Sequence, residues 1–256
     1  MENKADLKKG FEVPLEKGKK LIGLKQSAFK DYIAARLLFL NVQLHQAAFF
    51  ANTCIEKELK ACLYSLNVEC TVQHNTFKLL NLLQRYDKTT FEKLNSDFIK
   101  VLTKIYDSRY HEGLNPNYNF VIIKRKFLSE LYTYQVLERK VHYRLGSMKN
   151  DDSQSLYEIA IQNKLPTVVL DNYLFNDITK EKFLNSQDDV FEFRIIFNHE
   201  VIEASYSIPK NIDINKFIYE ALVFEDNSQK MKISNHQPGI SNLSLTRNGV
   251  LYSEKK

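Results

Sequence analysis

Apolar side chains recur every three or four residues through the first 145 positions of the chain, and this rhythm is lost after residue 150. Such a period is typical of helices that bury one face. In "SAFKDYIAARLLFLNVQLH" the predicted buried stripe consists of Ile33, Leu37, Leu40 and Leu44. In "QAAFFANTCIEKELKACLYSLN" the predicted stripe consists of Ala51, Ile55, Leu59, Cys62 and Leu66, opposite a polar face of Glu56, Lys57 and Lys60.

Further periodic segments complete the helical half. "HNTFKLLNLLQRY" predicts a short helix, and "TTFEKLNSDFIKVLTKIYDSRY" predicts a fourth helix with Thr89 or Thr90 as its N-cap. Gly113 and Pro116 mark a loop, after which the apolar positions between Phe120 and Val141 indicate a long helix. We therefore predict an up-and-down bundle of four to five helices.

The pattern changes after "LGSMKNDDSQS", a small, polar and charged segment around residues 145–155. Beyond it, "TVVLDNYLF", "VFEFRIIF", "VIEASYSI" and "LSLTRNGVLYS" are rich in β-branched and aromatic residues, which favours strands. Alternation through "FEFRIIFNHEVIEASYSI" predicts a hairpin. We predict an α+β fold overall, with a basic N-terminal arm at 1–22, the helical bundle at 23–148 and a small α+β domain with antiparallel strands at 149–256.

Charge is divided unequally between the two halves. Residues 1–150 carry 25 lysines and arginines against 15 aspartates and glutamates, a balance of +10, whereas residues 151–256 carry 11 against 16, a balance of −5. A basic half is compatible with binding the phosphates of RNA, DNA or nucleotides. A lysine-rich helical surface exposed to water is the alternative.

The sequence disfavours several other kinds of site. No apolar run approaches the roughly 20 residues that a membrane helix needs. Cys54, Cys62 and Cys70 form no CxxC pair, which indicates buried thiols in a reducing compartment. The histidines are scattered, without metal-ligand spacing, and there is no glycine-rich phosphate loop. We predict a cytoplasmic protein that uses no metal and no cofactor.

Four segments of the helical half occur in an order that points to a family. "AFKDYIAARLLFLN" has an Asp-Tyr pair before small and apolar residues, and "QAAFFANTCIEKELKACL" has a Glu-Lys-x-x-Lys-Ala segment. "HNTFKLLNLL" begins with His74, and "YDSRY" has the pattern Tyr-x-x-Arg-Tyr. Together, residues 24–145 resemble the HEPN family, helical bundles named for nucleotide binding in higher eukaryotes and prokaryotes. Asn75 and His111 depart from the family pattern, in which an acidic residue and a proline are usual.

The resemblance implies a bacterial protein that forms a homodimer through its helices and binds a nucleotide or RNA. The candidate contacts are Lys57, Lys60, His74, Tyr106, Arg109 and Tyr110. Arg109 could bind phosphate through its forked guanidinium or cap a helix C-terminus. For His74, a capping or inter-helix hydrogen bond is the alternative to a ligand contact. Of Lys57 and Lys60, we expect one to reach an acidic group inside the bundle and the other to be solvated.

Ribonucleases of the family carry an arginine followed, after four to six residues, by a histidine, and no pair in the helical half has this spacing. Arg194 and His199 have it, but on the predicted hairpin, where the offset of five directs the two side chains to opposite faces. We therefore predict a nucleotide- or RNA-binding and dimerisation module without ribonuclease activity, followed by a domain that binds a protein partner. Two alternatives stay open: a toxin-like endoribonuclease with Arg109 and His111 as catalytic residues, and a structural adaptor without a small ligand.

Overall fold

The structure, a computed structural model, describes the backbone of part of the chain: residues 11–13, 15–70, 73–107, 118–141, 143–145, 154–185, 189–197, 200–208, 222–224, 231–233, 243–245 and 251–253. Side chains are described for residues 16–70, 73–107, 122, 124–141 and 154–185.

Helices make up most of the described part up to residue 185. They are α1 (Leu15–Leu40), α2 (Leu44–Ser65), α3 (Thr76–Tyr86), α4 (Lys88–Phe91), α5 (Ser96–Asp107), α6 (Lys124–Glu130), α7 (Tyr132–Lys140), α8 (Leu156–Gln162), α9 (Pro166–Val169), a 3-10 turn (Tyr173–Phe175) and α10 (Lys180–Asn185).

Extended segments are described by their backbone pairing. They are β1 (Phe11–Val13), β2 (Tyr118–Ile123), β3 (Tyr143–Leu145), β4 (Asp189–Phe197), β5 (Glu200–Ile208), β6 (Leu222–Phe224), β7 (Met231–Ile233), β8 (Leu243–Leu245) and β9 (Leu251–Ser253). β1 pairs in parallel with β3. β2, β4 and β5 pair antiparallel in that order, with Arg194 opposite Glu203 where the sequence predicts a hairpin. β6 to β9 pair antiparallel in chain order.

The chain divides into two compact units that interleave along the sequence. The first consists of Met1–Leu37, Phe49–Thr103 and Glu130–Leu170, and the second of Leu38–Ala48, Lys104–Ser129 and Asp171–Lys256. The predicted ranges 1–22, 23–148 and 149–256 divide the chain differently and stay a prediction.

Helix α2 is buried around most of its circumference in the first unit. The predicted stripe from Ala51 to Cys62 is buried, whereas Leu66 lies beyond the helix and is exposed. On the predicted polar face, Glu56 and Lys60 are also buried. Side chains or backbone of α1, α3 and α7 make hydrogen bonds with α2 on different sides, so this helix is the centre of the unit.

The buried face of α1 differs from the predicted one by a rotation of the helix. Its buried apolar residues are Leu21, Ala28, Tyr32, Ala35 and Phe39. The predicted stripe is wrong: Leu37 is 50% exposed, and Ile33 and Leu40 are only partly buried. The true face also contains Lys25 and Arg36, two buried cations, so a search for apolar residues alone selects the neighbouring stripe.

Two predicted helix boundaries are also wrong. The backbone from Tyr118 to Ile123 is extended and pairs with β4, so the predicted long helix begins only at Lys124 and is interrupted by a turn at Leu131. The fourth predicted helix is divided into α4 and α5. The expected N-cap, Thr89 or Thr90, is wrong. Asp87 caps α4, because its Oδ1 accepts a hydrogen bond from the Thr90 amide at 3.0 Å, and Asn95 Oδ1 accepts one from the Phe98 amide at 3.0 Å at the start of α5.

The predicted α+β class is wrong. The residues whose side chains the structure describes are 78% helical, which points to an all-helical fold for that part of the chain. Between residues 154 and 185, inside the range predicted as an α+β domain, the elements are helices. "TVVLDNYLF" is a helical turn with Val168 buried, followed by the 3-10 turn, and Pro166 begins it at the first helical position. A short β-branched run indicates burial, but it does not distinguish a strand from a buried helical turn.

Candidate functional site

Four of the residues predicted to contact a ligand or to act as catalytic alternatives lie on described helices or the loop between them. Lys57 and Lys60 are on α2, His74 directly precedes α3, and Tyr106 is in the last turn of α5. Arg109, Tyr110 and His111 lie outside the described residues. Tyr106 belongs to the second unit, and the other three belong to the first.

Lys60 and His74 meet at the carboxylate of Glu56. The Lys60 ammonium lies 2.8 Å from Glu56 Oε1, and His74 Nδ1 lies 3.1 Å from the same oxygen. Glu56 and Lys60 are buried one helical turn apart, but the His74 side chain is 75% exposed. The carboxylate therefore fixes one side of an imidazole ring whose remainder faces solvent.

The α3 N-terminus holds His74 in this place. Asn75 is the N-cap residue, and its Oδ1 accepts a hydrogen bond from the Lys78 amide at 2.9 Å. Asn75 departs from the family pattern, but it caps the helix as an aspartate at this position would. His74 is the residue before the cap and reaches back to α2.

Lys57 points to α1 instead of to this cluster. Its ammonium donates hydrogen bonds to Ser27 Oγ at 2.7 Å and to the Asp31 carboxylate. The expectation that one of the two lysines is solvated is wrong, because Lys57 and Lys60 are both paired with carboxylates. The structure brings Lys60 and His74 together and engages Lys57 elsewhere.

A buried ionic cluster that the sequence analysis missed lies on another side of α2. The Lys25 ammonium is 2.8 Å from Glu58 Oε2, 2.8 Å from the backbone oxygen of Glu138 and 4.0 Å from Glu138 Oε1. Burial raises the pKa of Glu58 to about 7, although the Lys25 charge opposes this shift. Burial alone would lower the pKa of Lys25, but the two carboxylates raise it above its ordinary value. The spacing of Glu58, four residues from both Cys54 and Cys62, could have placed it on the buried stripe.

Comparison with protein families gives a match for part of the helical half. A family model described as HEPN domain matches residues 23–116. This segment, 94 of the 256 residues, is similar to a HEPN domain. The predicted family resemblance is thereby confirmed, and the C-terminal region has no family match. Neither curated proteins nor solved structures give a significant match.

The HEPN domain contributes one ring to a buried group of three tyrosines. Tyr32 stacks on Tyr134 with centroids 4.1 Å apart, and Tyr157 meets both rings edge-on. Burial raises the pKa of each of the three hydroxyls. These tyrosines therefore stay neutral and pack α8 against α1 and α7.

Arg36 of the HEPN domain binds the C-terminal end of α9. Its Nε donates to the Thr167 backbone oxygen at 2.6 Å, and its Nη2 donates to the Leu170 backbone oxygen. The side chain is almost fully buried. Arg36 is thus a structural residue, and its guanidinium is not available to a phosphate.

The thiols of the domain are unsuited to nucleophilic chemistry. Cys54, Cys62 and Cys70 are free and buried. Burial raises the pKa of Cys62 to about 12 and that of Cys54 well above its ordinary value, so the reactive thiolate is scarce at neutral pH.

Two properties of the described ranges concern metals and membranes. Within them, no three histidine, cysteine, aspartate or glutamate side chains are grouped so as to hold a metal ion. None of the helices in that part of the chain combines the length and apolarity that crossing a bilayer would demand.

Proposed function

We propose that the HEPN domain is a nucleotide- or RNA-binding and dimerisation module without ribonuclease activity. The observation that carries this proposal is the convergence of Lys60 and the exposed His74 on Glu56. The ammonium has two further N–H donors, and the ring nitrogen that does not face Glu56 is free to point outward. Phosphate oxygens accept hydrogen bonds from the ammonium, and from Nε2–H of His74 when the imidazole is protonated and both of its nitrogens donate.

The absence of ribonuclease activity rests on what the arginine and histidine side chains do. Cleavage in this family pairs an arginine with a histidine four to six residues later, a spacing that the helical half lacks. Arg36 precedes His45 by nine residues, and its guanidinium is bound to backbone oxygens of Thr167 and Leu170. No arginine precedes His74 at the family's spacing.

A thermal-shift panel of nucleotides and single-stranded RNA tests the binding proposal. A ligand at about 100 times its dissociation constant should raise the free energy of unfolding by about 2.7 kcal/mol. His74→Ala should weaken binding about tenfold, as expected for loss of one charge-assisted hydrogen bond. Tyr86→Ala is the matched control, because Tyr86 is an exposed ring at the opposite end of α3 and should leave binding unchanged. Equal loss in both variants, or no shift with any ligand, would contradict the proposal.

The dimerisation proposal has its own support and its own test. HEPN helices commonly pair, and Leu37 and Phe50 are apolar side chains on α1 and α2 that are 50% and 41% exposed. We expect sedimentation equilibrium of the full chain to give the mass of a dimer. The double variant Leu37→Lys, Phe50→Lys should sediment as a monomer, whereas the control Tyr86→Lys, Tyr132→Lys should remain dimeric. A monomeric wild type would refute this part of the proposal.

We also propose that the protein is cytoplasmic and that residues 149–256 bind a protein partner. Buried free thiols support a reducing compartment, and the −5 balance of residues 151–256 supports a partner with a basic surface. Cross-linking in cells, followed by mass spectrometry of the full chain, should place the cross-links to a partner within 149–256. Cross-links confined to the HEPN domain would contradict this assignment.

A further inference from the structure

Two lysines of α1 lie over one aromatic ring of α2. The ammonium of Lys20 is 4.5 Å from the centroid of the Tyr64 ring, and that of Lys17 is 5.5 Å from the same centroid. Residues three apart on a helix share a face, so both cations reach the ring from one side of α1. The negative face of an aromatic ring attracts cations at such distances.

The loop that ends α2 holds one of these cations. Lys17 Nζ donates a hydrogen bond to Asn67 Oδ1. Asn67 has a φ of 61°, and the amide of the next residue, Val68, donates to the Leu63 backbone oxygen at 2.9 Å. This left-handed turn fixes the backbone of Asn67. Lys17 is therefore held between an aromatic ring and an amide oxygen. Neither of these groups has a negative charge that would neutralise the ammonium.

Several lysines near Lys17 and Lys20 are paired with carboxylates. Lys19 pairs with Glu16, Lys57 with Asp31 and Lys60 with Glu56. In the described part of the chain, neither Lys17 nor Lys20 has a carboxylate partner. Two ammonium groups are thus gathered on one ring without a counter-charge, which is the arrangement that an external anion would complete.

One residue of the patch made of Lys17, Lys20 and Tyr64 acts on the same thiol as Lys60 does. Burial raises the pKa of the Cys70 thiol, and the charges of Lys60 and Lys20 both oppose that shift, so both ammonium groups act on the same thiol. Cys70 and His74 belong to the segment that links α2 to α3.

We infer that Lys17, Lys20 and Tyr64 form a phosphate-binding site. The two ammonium groups bind the phosphate oxygens, and Tyr64 and Asn67 hold these groups in place before the ligand arrives, which lowers the entropic cost of binding. The inference rests on the proposed function, because it adds a second set of contacts to the same ligand-binding surface. The phosphate belongs to a free nucleotide or to the backbone of RNA.

A structural role is the competing explanation. Cations near the C-terminal end of α2 interact favourably with the negative end of its dipole. In that case, removal of the lysines would lower the melting temperature and leave ligand affinity unchanged. Binding and stability must therefore be measured on the same variants.

The experiment measures the affinity of the full chain for fluorescein-labelled single-stranded RNA, for ATP and for inorganic phosphate. The test variant is Lys17→Gln, Lys20→Gln. The control is Lys30→Gln, Lys93→Gln, which removes the same charge from exposed lysines, one of them on the same helix. We expect the test variant to bind RNA at least about tenfold more weakly and to show a shallower salt dependence, by about 0.7 per lost contact. The control should change affinity less than about twofold.

The three ligands distinguish between the possible sources of the phosphate. Loss with RNA alone identifies the RNA backbone, and loss with ATP and inorganic phosphate as well identifies a site for a phosphate group itself. Lys20→Gln alone, which keeps the bond from Lys17 to Asn67, should give an intermediate loss without a change in melting temperature.

Failure of the proposed function and failure of the phosphate site alone give different results. If the wild-type chain binds none of the three ligands, the proposed function and the phosphate site both fail. If the wild type binds and the test variant binds like its control, only the phosphate site is overturned.

Discussion

Glu58 shows at the scale of one residue how a buried charge makes the HEPN domain sensitive to pH. Glu58 and Glu138 share a single ammonium, that of Lys25, and no hydrogen-bond partner reaches Glu58 Oε1 among the described atoms. Such a carboxylate is costly to ionise. Its pKa of about 7 in the folded protein lies above the ordinary value of 4.5.

We predict that stability falls as pH rises across this window. The folded state holds the Glu58 proton more tightly than the unfolded state does, so the contribution is fully present below about pH 4.5 and is lost as pH rises through about 7. The loss is on the order of 3 kcal/mol. Urea unfolding at several pH values should show this slope in the wild type and its absence in Glu58→Gln. The exposed-residue control Glu92→Gln should keep the slope, and an unchanged slope in Glu58→Gln would refute the assignment.

Arg36 shows at the scale of elements why α9 belongs with the helices that precede it. Its planar guanidinium donates to two backbone oxygens at the end of a short helix, a geometry that one lysine ammonium does not reproduce. Buried carbonyl oxygens that lose such donors are costly.

We predict that Arg36→Lys destabilises the protein by about 3 kcal/mol. Hydrogen exchange should accelerate first at residues 166–170, because the bonds that hold this helix end are the ones removed. Arg85→Lys is the control, since Arg85 is exposed on α3 and should change stability by less than about 0.5 kcal/mol. Exchange that is unchanged at 166–170 would show that Arg36 does not hold α9.

A second prediction at this scale concerns the start of α8. Ser155 Oγ accepts a hydrogen bond from the Glu158 amide at 3.2 Å, and Glu158 Oε2 accepts one from the Ser155 amide at 2.8 Å. Ser155→Ala breaks this capping box and should cost about 1 kcal/mol in urea unfolding. Ser96→Ala is the matched control, because Asn95 and not Ser96 caps α5. Equal costs for both variants would contradict the capping role.

The helices show which parts of the fold can be predicted from the sequence. Apolar periodicity predicted helices α1, α2 and α3 and most of the buried residues of α2, because a long helix that buries one face repeats its pattern many times. It placed the buried face of α1 wrongly, since Lys25 and Arg36 are buried through partners more than 30 residues away in sequence. Strand propensity wrongly predicted "TVVLDNYLF" as a strand. The propensity of a residue does not depend on which elements pack against its segment in the fold.

The candidate site was predictable to a similar degree. Family motifs pointed to Lys60 and His74, and the structure joins them through Glu56. They gave no sign of the patch of Lys17, Lys20 and Tyr64, because Tyr64 on α2 is 44 or more positions from the two lysines on α1 and meets them only in the folded chain. Arg109 and Tyr110 lie outside the described residues, and their part in binding stays a prediction.

At the scale of the whole molecule, the HEPN domain lies in the basic half of an unevenly charged chain. The half that contains the domain has a balance of +10, and an external anion is the natural partner of a basic surface. Nucleic acids are polyanions, so their binding should weaken steeply with salt, whereas protein partners held by apolar contacts should not.

Incubation of the full chain with labelled single-stranded RNA, followed by anisotropy and then by gel analysis of the recovered RNA, tests the central claim most directly. We predict saturable binding that weakens as salt is raised, with the RNA recovered intact. RNA that is cleaved by the wild type and spared by His111→Ala would establish the ribonuclease alternative instead. Absence of binding to RNA and to nucleotides would contradict the claim altogether.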